Sequence, residues 1–320
     1  MKSPTGAARV EAGSGLRAAL VRYGSALIFI GVLLAASQAS PVFLSPNNLA
    51  NVLSQVAITG IIGLGMTLVI LTGGIDLSVG AVVALVSVLM TGTQQYGFLL
   101  SVTLALVVGA VVGWLNGVGV VYGRMQPFIM TLGMMTVARG AAFVYSGGAP
   151  KAVELEALNF IGMSDFAGVP IPGLIFAVLL VVTGTFMARV PAGRHIYAIG
   201  SNPDAARMAG VNVSRHLIGV YTFSGVMAAV GGIVFVAQQG VGMAVAGVGY
   251  ELNAIAAVVL GGASLFGGEG TLYGTALGAA IIGVLGNMMN LSGVNPFAQD
   301  LLKGVIIISV VLIRRVLSGR

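Results

Sequence analysis

The sequence predicts an all-α integral membrane protein, a bundle of about ten transmembrane helices with both termini in the cytoplasm. Three observations carry that prediction. Hydrophobic residues make up 57% of the 320 residues, charged residues only 8%, and the mean hydropathy is +1.03. Soluble chains carry about 25% charged residues, so this chain cannot cover a water-facing surface with charge. The apolar residues are gathered in long segments, and the basic residues lie between them.

The first apolar segment, residues 25–39, is predicted to be a transmembrane helix. A removed signal peptide is the weaker interpretation, because the preceding segment is long for one and many spans follow. Nine more segments approach the ~20 residues that cross a bilayer. They run near 51–72, 76–92, 98–122, 127–146, 172–188, 217–238, 251–268, 271–290 and 299–313. Several joins are short and rich in glycine, so an apparent span could be a broken or re-entrant helix.

The basic residues orient this bundle. With the N-terminus inside and the sides alternating, twelve of the fifteen Lys and Arg residues fall on the cytoplasmic side, the side that they favour. An odd number of spans would spoil this asymmetry. The sequence therefore predicts a cytoplasmic segment 1–24, a membrane domain 25–313 and a cytoplasmic tail 314–320. The external loop 147–171 is expected to be partly helical.

Composition excludes several classes of function. The chain has no cysteine and only two histidines, so a thiol nucleophile, a disulfide framework and a histidine-rich metal site are excluded. The net charge of +6 is spread between spans rather than gathered in a patch, which argues against nucleic acid. An intramembrane enzyme is the weakest hypothesis, because we find no nucleophile with a base beside it.

Glycine stripes predict close helix packing. Gly109, Gly113 and Gly117 repeat every fourth residue in the fourth span, and Gly274 and Gly278 repeat the spacing in the ninth. Small residues at that spacing let membrane helices approach each other closely. We expect packing rather than substrate contact at these positions.

The internal loop, residues 189–216, carries a short helix with marked ends. Ser201 or Asn202 suits the N-cap, Pro203 suits the first helical position, and Asp204 complements the positive helix start. The helical residues that follow are Ala205, Ala206, Arg207, Met208 and Ala209, and Gly210 is a natural stop. A plain linker and a knob that docks on another protein are both consistent with this pattern. Ala206→Arg is predicted to block such docking.

Three segments carry a resemblance to a known family. Residues 202–211 resemble the coupling-loop motif of bacterial ABC-transporter permeases. Residues 65–80 are similar to the most recognisable segment of the ribose/xylose-type monosaccharide importers, and residues 250–262 followed by 267–271 are similar to another. The resemblance covers residues 45–313.

The resemblance implies a subunit of an importer in the bacterial inner membrane. Such a permease works as a dimer, either a homodimer or a pair with a close paralogue, and it alternates access across the lipid bilayer. It implies a cytoplasmic ABC ATPase, which docks on the loop helix, and a periplasmic sugar-binding protein. No cofactor is expected on this chain, which lacks the phosphate-binding loop motif. ATP and Mg²⁺ are expected on the ATPase.

Five polar residues are candidates for the translocation path or its gate: Asp76, Asn116, Gln126, Arg139 and Asn253. Asp76 stands at the inner end of the second span, where helix capping is the stronger interpretation. Arg139 falls within a span at a cost of at least ~2.5 kcal/mol, so it either lines the path or reaches the outer interface. The three amides suit hydroxyl-rich ligands, but they also suit bonds between helices.

An ion-coupled secondary carrier is the alternative function. Such a carrier needs a titrating carboxylate deep in the membrane. The sequence places its carboxylates near the ends of spans, which favours the ATP-driven importer.

Overall fold

The computed structural model describes residues 24–318 and confirms an all-helical membrane bundle. Residues 1–23 of the predicted N-terminal segment and residues 319–320 of the predicted tail lie outside the described part. In chain order the α-helices are α1 Gly24–Ala39, α2 Pro46–Leu71, α3 Val79–Thr93, α4 Phe98–Val121, α5 Pro127–Ser146, α6 Glu156–Met163, α7 Ile171–Arg189, α8 Pro191–Ser201, α9 Pro203–Met208, α10 Val213–Gln239, α11 Tyr250–Leu260, α12 Leu272–Leu291 and α13 Pro296–Ser318.

Each of the ten predicted spans overlaps one of these helices. Within the described residues, seven helices are long and apolar enough to cross a membrane: α2, α3 with the 3₁₀ turn that extends it to Tyr96, α4, α5, α7, α10 and α12. Helices α1 and α11 are shorter apolar helices. The domain boundaries themselves stay predictions.

Helices α2 and α10 form the centre of the bundle. Their most apolar stretches are 83% and 78% buried, whereas that of α5 is only 17% buried. The two helices run antiparallel, because Gly65 of α2 lies against Ser224 and Ile62 lies against Gly231 further along α10. Helices α4, α5 and α7 expose apolar side chains outward, as expected for helices that face lipid.

The glycine stripe of α4 packs against α10, which confirms the predicted packing role. A Cβ atom added at Gly113 would lie 2.2 Å from the carbonyl oxygen of Tyr221, and one at Gly109 would lie 2.5 Å from that of Gly225. Gly274 and Gly278 likewise lie against the backbone of Gly261 and Ala257. These backbones approach so closely that no side chain fits between them.

Gly113→Ala is therefore expected to destabilise the bundle by about 1–3 kcal/mol, the usual cost of overpacking a well-filled interior. The matched control is Gly219→Ala on α10, where an added Cβ meets no atom within 4 Å. Since alanine is the better helix former by about 0.5–1 kcal/mol, this control should be neutral or stabilising. Thermal unfolding in detergent measures both, and equal midpoints would contradict the packing argument.

The same order of long and short helices occurs twice along the chain. The long helix α2 (26 residues) precedes the short helix α3 (15 residues), and the long helix α10 (27 residues) precedes the short helix α11 (11 residues). Two longer helices follow each short one. The short helices meet where the Glu251 carboxylate and the carbonyl of Gly247 lie against Gly80. The two halves of the described chain therefore share one order of long and short helices.

The predicted eighth span, 251–268, is wrong as a continuous helix. Helix α11 ends at Leu260, and turns follow up to Thr271. A non-helical segment, residues 241–249, precedes it and descends beside α3, from Thr91 at Gly242 to Gly80 at Gly247. That descent covers about 11 Å, since Gly242 lies against Ser87 and Thr91, Gly247 lies against Gly80 and Val83, and a helix rises 1.5 Å per residue. Gly247 and Gly249 have φ values of +70° and +83°, which a helix does not accommodate.

The external segment is folded and partly helical, as predicted. It contains α6 and three two-residue strands, β1 Lys151–Ala152, β2 Asp165–Phe166 and β3 Val169–Pro170. Strands β2 and β3 form an antiparallel pair. Strand β1 pairs antiparallel with β4, Val241–Gly242, which begins the descending segment 241–249. The external segment is thereby tied to the outer end of that segment.

Candidate functional site

Helix α9 of the internal loop has the predicted ends. The Asn202 side chain accepts hydrogen bonds from the backbone N–H groups of Asp204 and Ala205 at 3.0 and 2.9 Å. It is therefore the N-cap, while the Ser201 hydroxyl donates back to the carbonyl of Tyr197. Gly210 ends the helix with a φ of +84°, a conformation that glycine adopts at no steric cost.

All residues of helix α9 except Ala206 are exposed. Met208 is 90% exposed, and Arg207 pairs with Asp204 at 2.7 Å in water. Ala206, in contrast, is 5% exposed and packs with Ile199 and Val213. The prediction that Ala206 belongs to the docking surface is wrong, because the helix turns this side chain toward α8 and α10. Ala206→Arg would disturb the packing of the loop itself.

One contact between the loop and the membrane helices is the inner junction, formed by Gly200, Leu71 and Gly268. The backbone N–H of Gly268 donates to the carbonyl of Leu71 at 2.9 Å. A Cβ added at Gly200 would lie 1.7 Å from that same oxygen. The end of α8, the end of α2 and the turn before α12 are therefore in backbone contact.

Two side-chain contacts strengthen this region. The Tyr197 hydroxyl donates to the carbonyl of Gly270 at 2.9 Å, and burial raises the pKa of this phenol above its ordinary value, so it remains a donor. His195 Nδ1 and His216 Nε2 lie 3.1 Å apart, and His216 Nδ1 donates to the carbonyl of Asn212 at 2.8 Å. Helices α8 and α10 are thus linked across the base of the loop.

Asp76 is the centre of a buried polar cluster. Its Oδ1 accepts from the N–H and the hydroxyl of Ser78 at 3.0 and 2.6 Å, and its Oδ2 accepts from the Ser224 hydroxyl at 2.8 Å. Asn116 Nδ2 donates to the Ser78 hydroxyl at 2.9 Å and approaches Asp76 Oδ1 at 3.4 Å. Asp76 and Asn116 both have no exposed surface. The cluster joins α4, α10 and the start of α3.

The expectation that Asp76 stands at the inner end of a span is wrong. Ser224 is eleven residues into the 27-residue helix α10, so the carboxylate lies about 16 Å along a helix of about 40 Å. Residues 72–78 fold back into the bundle after α2 ends, which carries Asp76 to this depth. A deep carboxylate is therefore present, and the sequence argument against an ion-coupled carrier does not hold on that point.

Sequence reasoning missed Ser78, Ser224 and Tyr221 as members of this cluster. The Tyr221 ring is 1% exposed and interacts electrostatically with Asp76. Neither its hydroxyl nor the Asn116 side-chain oxygen has a hydrogen-bond partner within residues 24–318. A serine or tyrosine in an apolar helix gives no signal of its own, since each also occurs in ordinary packing.

Arg139 has a partner that neither of its two interpretations included. Its guanidinium donates to the backbone carbonyl of Ala244 at 2.8 Å and to that of Ala246. It also interacts electrostatically with Glu251. These bonds hold the descending segment 241–249 against α5, and they satisfy carbonyl groups that no helix pairs. A contact of Arg139 with the translocation path stays a prediction.

The structure does not bring the five candidate path residues together. Gln126 is exposed just before α5, whereas Asn116 is fully buried beside Asp76. Asn253 lies on α11, at a small cavity of about 20 Å³ between α11, α12 and α13. A path through these five residues therefore stays a prediction.

The spanning bundle, its buried polar cluster and the exposed helix α9 together define a multispanning membrane transport protein. The family model of the branched-chain amino acid transport system permease component matches residues 48–311. The chain belongs to this family of transporter permease components.

Curated relatives agree with that assignment. The chain is 42% identical over 294 residues to the ribose import permease protein of Escherichia coli (strain K12), covering 90% of this chain and 92% of the relative. It is 41% identical over 298 residues to the fructose import permease protein of Rhizobium meliloti, covering 90% and 81%. It is 33% identical over 302 residues to the D-allose transport system permease protein of Escherichia coli (strain K12), covering 93% and 92%. The resemblance indicated by the three sequence segments is thereby confirmed. No solved structure matches the chain.

Proposed function

We propose that this chain is the membrane-spanning permease subunit of an ATP-driven monosaccharide importer in a bacterial cytoplasmic membrane. Monosaccharide transport is supported by the relatives, whose names give ribose, fructose and D-allose. Coupling to a separate ATPase is supported above all by α9, a capped helix outside the membrane whose most exposed residue is apolar, Met208 at 90%.

The inner junction supplies a route from the ATPase to the bundle. The ATPase holds ATP and Mg²⁺ and docks on α9, so its closure moves α8 and α9 together. Because Gly200 lies on the carbonyl of Leu71, and Gly268 donates to that carbonyl, the motion passes to α2 and α12. The bundle then alternates between outward-open and inward-open arrangements, each favoured by a different nucleotide state.

Two further partners complete the importer. A second permease copy, identical or closely related, forms the other half of the translocation path. A periplasmic sugar-binding protein docks on the external surface and delivers the sugar. High affinity then resides in the binding protein, so the permease needs only a weak site.

An ion-coupled carrier remains the competing function, since Asp76 is deep. The donors around Asp76 argue for a structural role, because three hydrogen bonds of 2.6–3.0 Å hold the carboxylate in place. Hydrogen bonds of this kind offset the cost of burying a charge.

Uptake of radiolabelled sugar into proteoliposomes tests the proposal. The complete importer, assembled with its ATPase and binding protein, should take up ribose, fructose or allose only when ATP is enclosed with the ATPase. The purified chain alone should be inactive under a proton or sodium gradient. Sugar uptake by the chain alone under an ion gradient would establish the carrier instead.

A further inference from the structure

A cavity of about 450 Å³ opens at the external end of the bundle. The outer ends of α3 and α5, the chain up to Lys151 and Gly242 of β4 line it. Its volume lies within the range of about 300–1,000 Å³ that small-molecule sites occupy. None of the five candidate path residues lies on its wall.

The wall of this outer cavity is fixed by several contacts. A Cβ added at Gly92 would lie 2.3 Å from the Tyr145 hydroxyl, so the absence of a side chain there lets the tyrosine hydroxyl contact α3. Lys151 is held in register with Gly242 by the pairing of β1 with β4. Gln94 donates to the carbonyl of Ala152 at 3.1 Å and accepts from the N–H of Glu154 at 2.8 Å. The cavity is therefore built before any ligand arrives.

Its polar groups suit a neutral, hydroxyl-rich ligand. The Tyr145 hydroxyl and the Lys151 ammonium have no side-chain partner within residues 24–318, so they are free to donate. The Ser146 hydroxyl donates to the carbonyl of Ala142 and accepts from the N–H of Gly148, so its oxygen can accept one more hydrogen bond. A sugar hydroxyl both donates and accepts, and the Tyr145 ring adds an apolar surface for the face of a sugar.

The same wall disfavours an amino acid. An amino acid carries an ammonium group, which needs an acceptor with negative charge when it leaves water. The residues that line the cavity include a lysine but no aspartate or glutamate. The cavity therefore does not suit the branched-chain amino acid named in the family description.

The cavity also stands at the top of the descending segment. Gly242 lies on its wall, and residues 241–249 continue from there beside α3 to Gly80, four residues after Asp76 in the chain. A ligand in the cavity would therefore touch the end of a crossing whose backbone is not helical. Such a crossing can shift without breaking a helix.

We propose that this outer cavity is the site where the permease receives the monosaccharide from the binding protein, with Tyr145, Lys151 and Ser146 as the residues that bind the sugar. The proposal rests on the import function proposed above. It adds a specific site on the external side, distinct from the buried cluster around Asp76.

Ala149→Trp tests the site by filling it, since Ala149 lines the cavity and is exposed. The matched control is Val144→Trp on the same helix end, where Val144 is 86% exposed and lies outside the cavity. In proteoliposomes that hold the complete importer, Ala149→Trp should lower sugar uptake about tenfold or more, which corresponds to about 1.4 kcal/mol. Val144→Trp should stay within about twofold of the wild type, since single exposed substitutions have small effects.

Binding of the sugar-loaded binding protein to the importer in nanodiscs is measured beside uptake. Unchanged docking with reduced uptake supports the proposal. Docking lost in parallel with uptake would overturn it, because the cavity would then be part of the docking surface. Unchanged uptake by Ala149→Trp would also overturn it. Failure of the wild type to take up any sugar would instead contradict the import function.

A milder pair of variants covers the case in which Ala149→Trp does not assemble. Tyr145→Phe and Lys151→Met each remove donors without adding volume. Each should lower uptake about 2- to 10-fold, the effect of losing one hydrogen bond. Uptake equal to the wild type in both variants would overturn the proposal.

Discussion

Met208→Arg is expected to lower ATP-driven sugar uptake by about tenfold or more while leaving the chain folded. Met208 is 90% exposed on α9, so the bundle loses no internal contact. A methionine buried against a partner contributes about 1.5–3 kcal/mol, and a charged side chain in its place would also be desolvated. Uptake into proteoliposomes and capture of the ATPase by the membrane subunit measure the effect together.

Met208→Leu is the matched control, since it keeps an apolar side chain of similar size. It should support uptake within about twofold of the wild type, because volume-conserving apolar changes cost little. Ala206→Arg serves a different purpose. That side chain is 5% exposed, so the variant should lower the unfolding temperature, which Met208→Arg should not do. Normal uptake by Met208→Arg with the ATPase bound would mean that α9 is only a linker.

Asp76→Ala is expected to destabilise the chain by about 2–5 kcal/mol, the range for leaving several buried donors unpaired. The change removes the acceptor of the Ser78 N–H, the Ser78 hydroxyl and the Ser224 hydroxyl. The two hydroxyls can turn toward other acceptors, but the backbone N–H cannot. The start of α3 should therefore separate from α10, and uptake should fall as well.

Thermal unfolding in detergent measures this loss, with Asp204→Ala as the control. Asp204 is also an aspartate at the start of a helix, but its ion pair with Arg207 is exposed to water. Exposed pairs contribute about 0–1 kcal/mol, so the control should unfold close to the wild type. Equal unfolding temperatures for Asp76→Ala and the wild type would show that the buried cluster does not hold α3 in place.

The features that the sequence predicts correctly depend on neighbouring residues. Asn202, Pro203 and Gly210 mark the ends of α9 because capping and backbone conformation act within a few residues of each end. The glycine stripe of α4 is equally readable, since a four-residue spacing defines one helix face. The family resemblance rests on the same kind of local pattern.

The features that the sequence does not predict depend on where the chain turns in space. Hydropathy locates Asp76 between two apolar segments, but it does not say that residues 72–78 fold back into the bundle. Ala206 faces inward because it packs against residues of α8 and α10. The sequence of α9 alone does not contain that information. The sequence likewise does not predict that Asn116 bonds Ser78, because only the fold brings the two side chains to 2.9 Å.

The descending segment 241–249 also constrains how the chain is assembled during synthesis. A lipid-exposed backbone without helical hydrogen bonds is not tolerated in a bilayer, so this segment cannot insert by itself. Several of its backbone groups are bonded to residues made earlier: Arg139 binds the carbonyls of Ala244 and Ala246, and Ser87 binds Met243. Helices α3 and α5 must therefore already be in the membrane when residues 241–249 leave the ribosome. The N-terminal half of the chain serves as the template on which the C-terminal half completes its insertion.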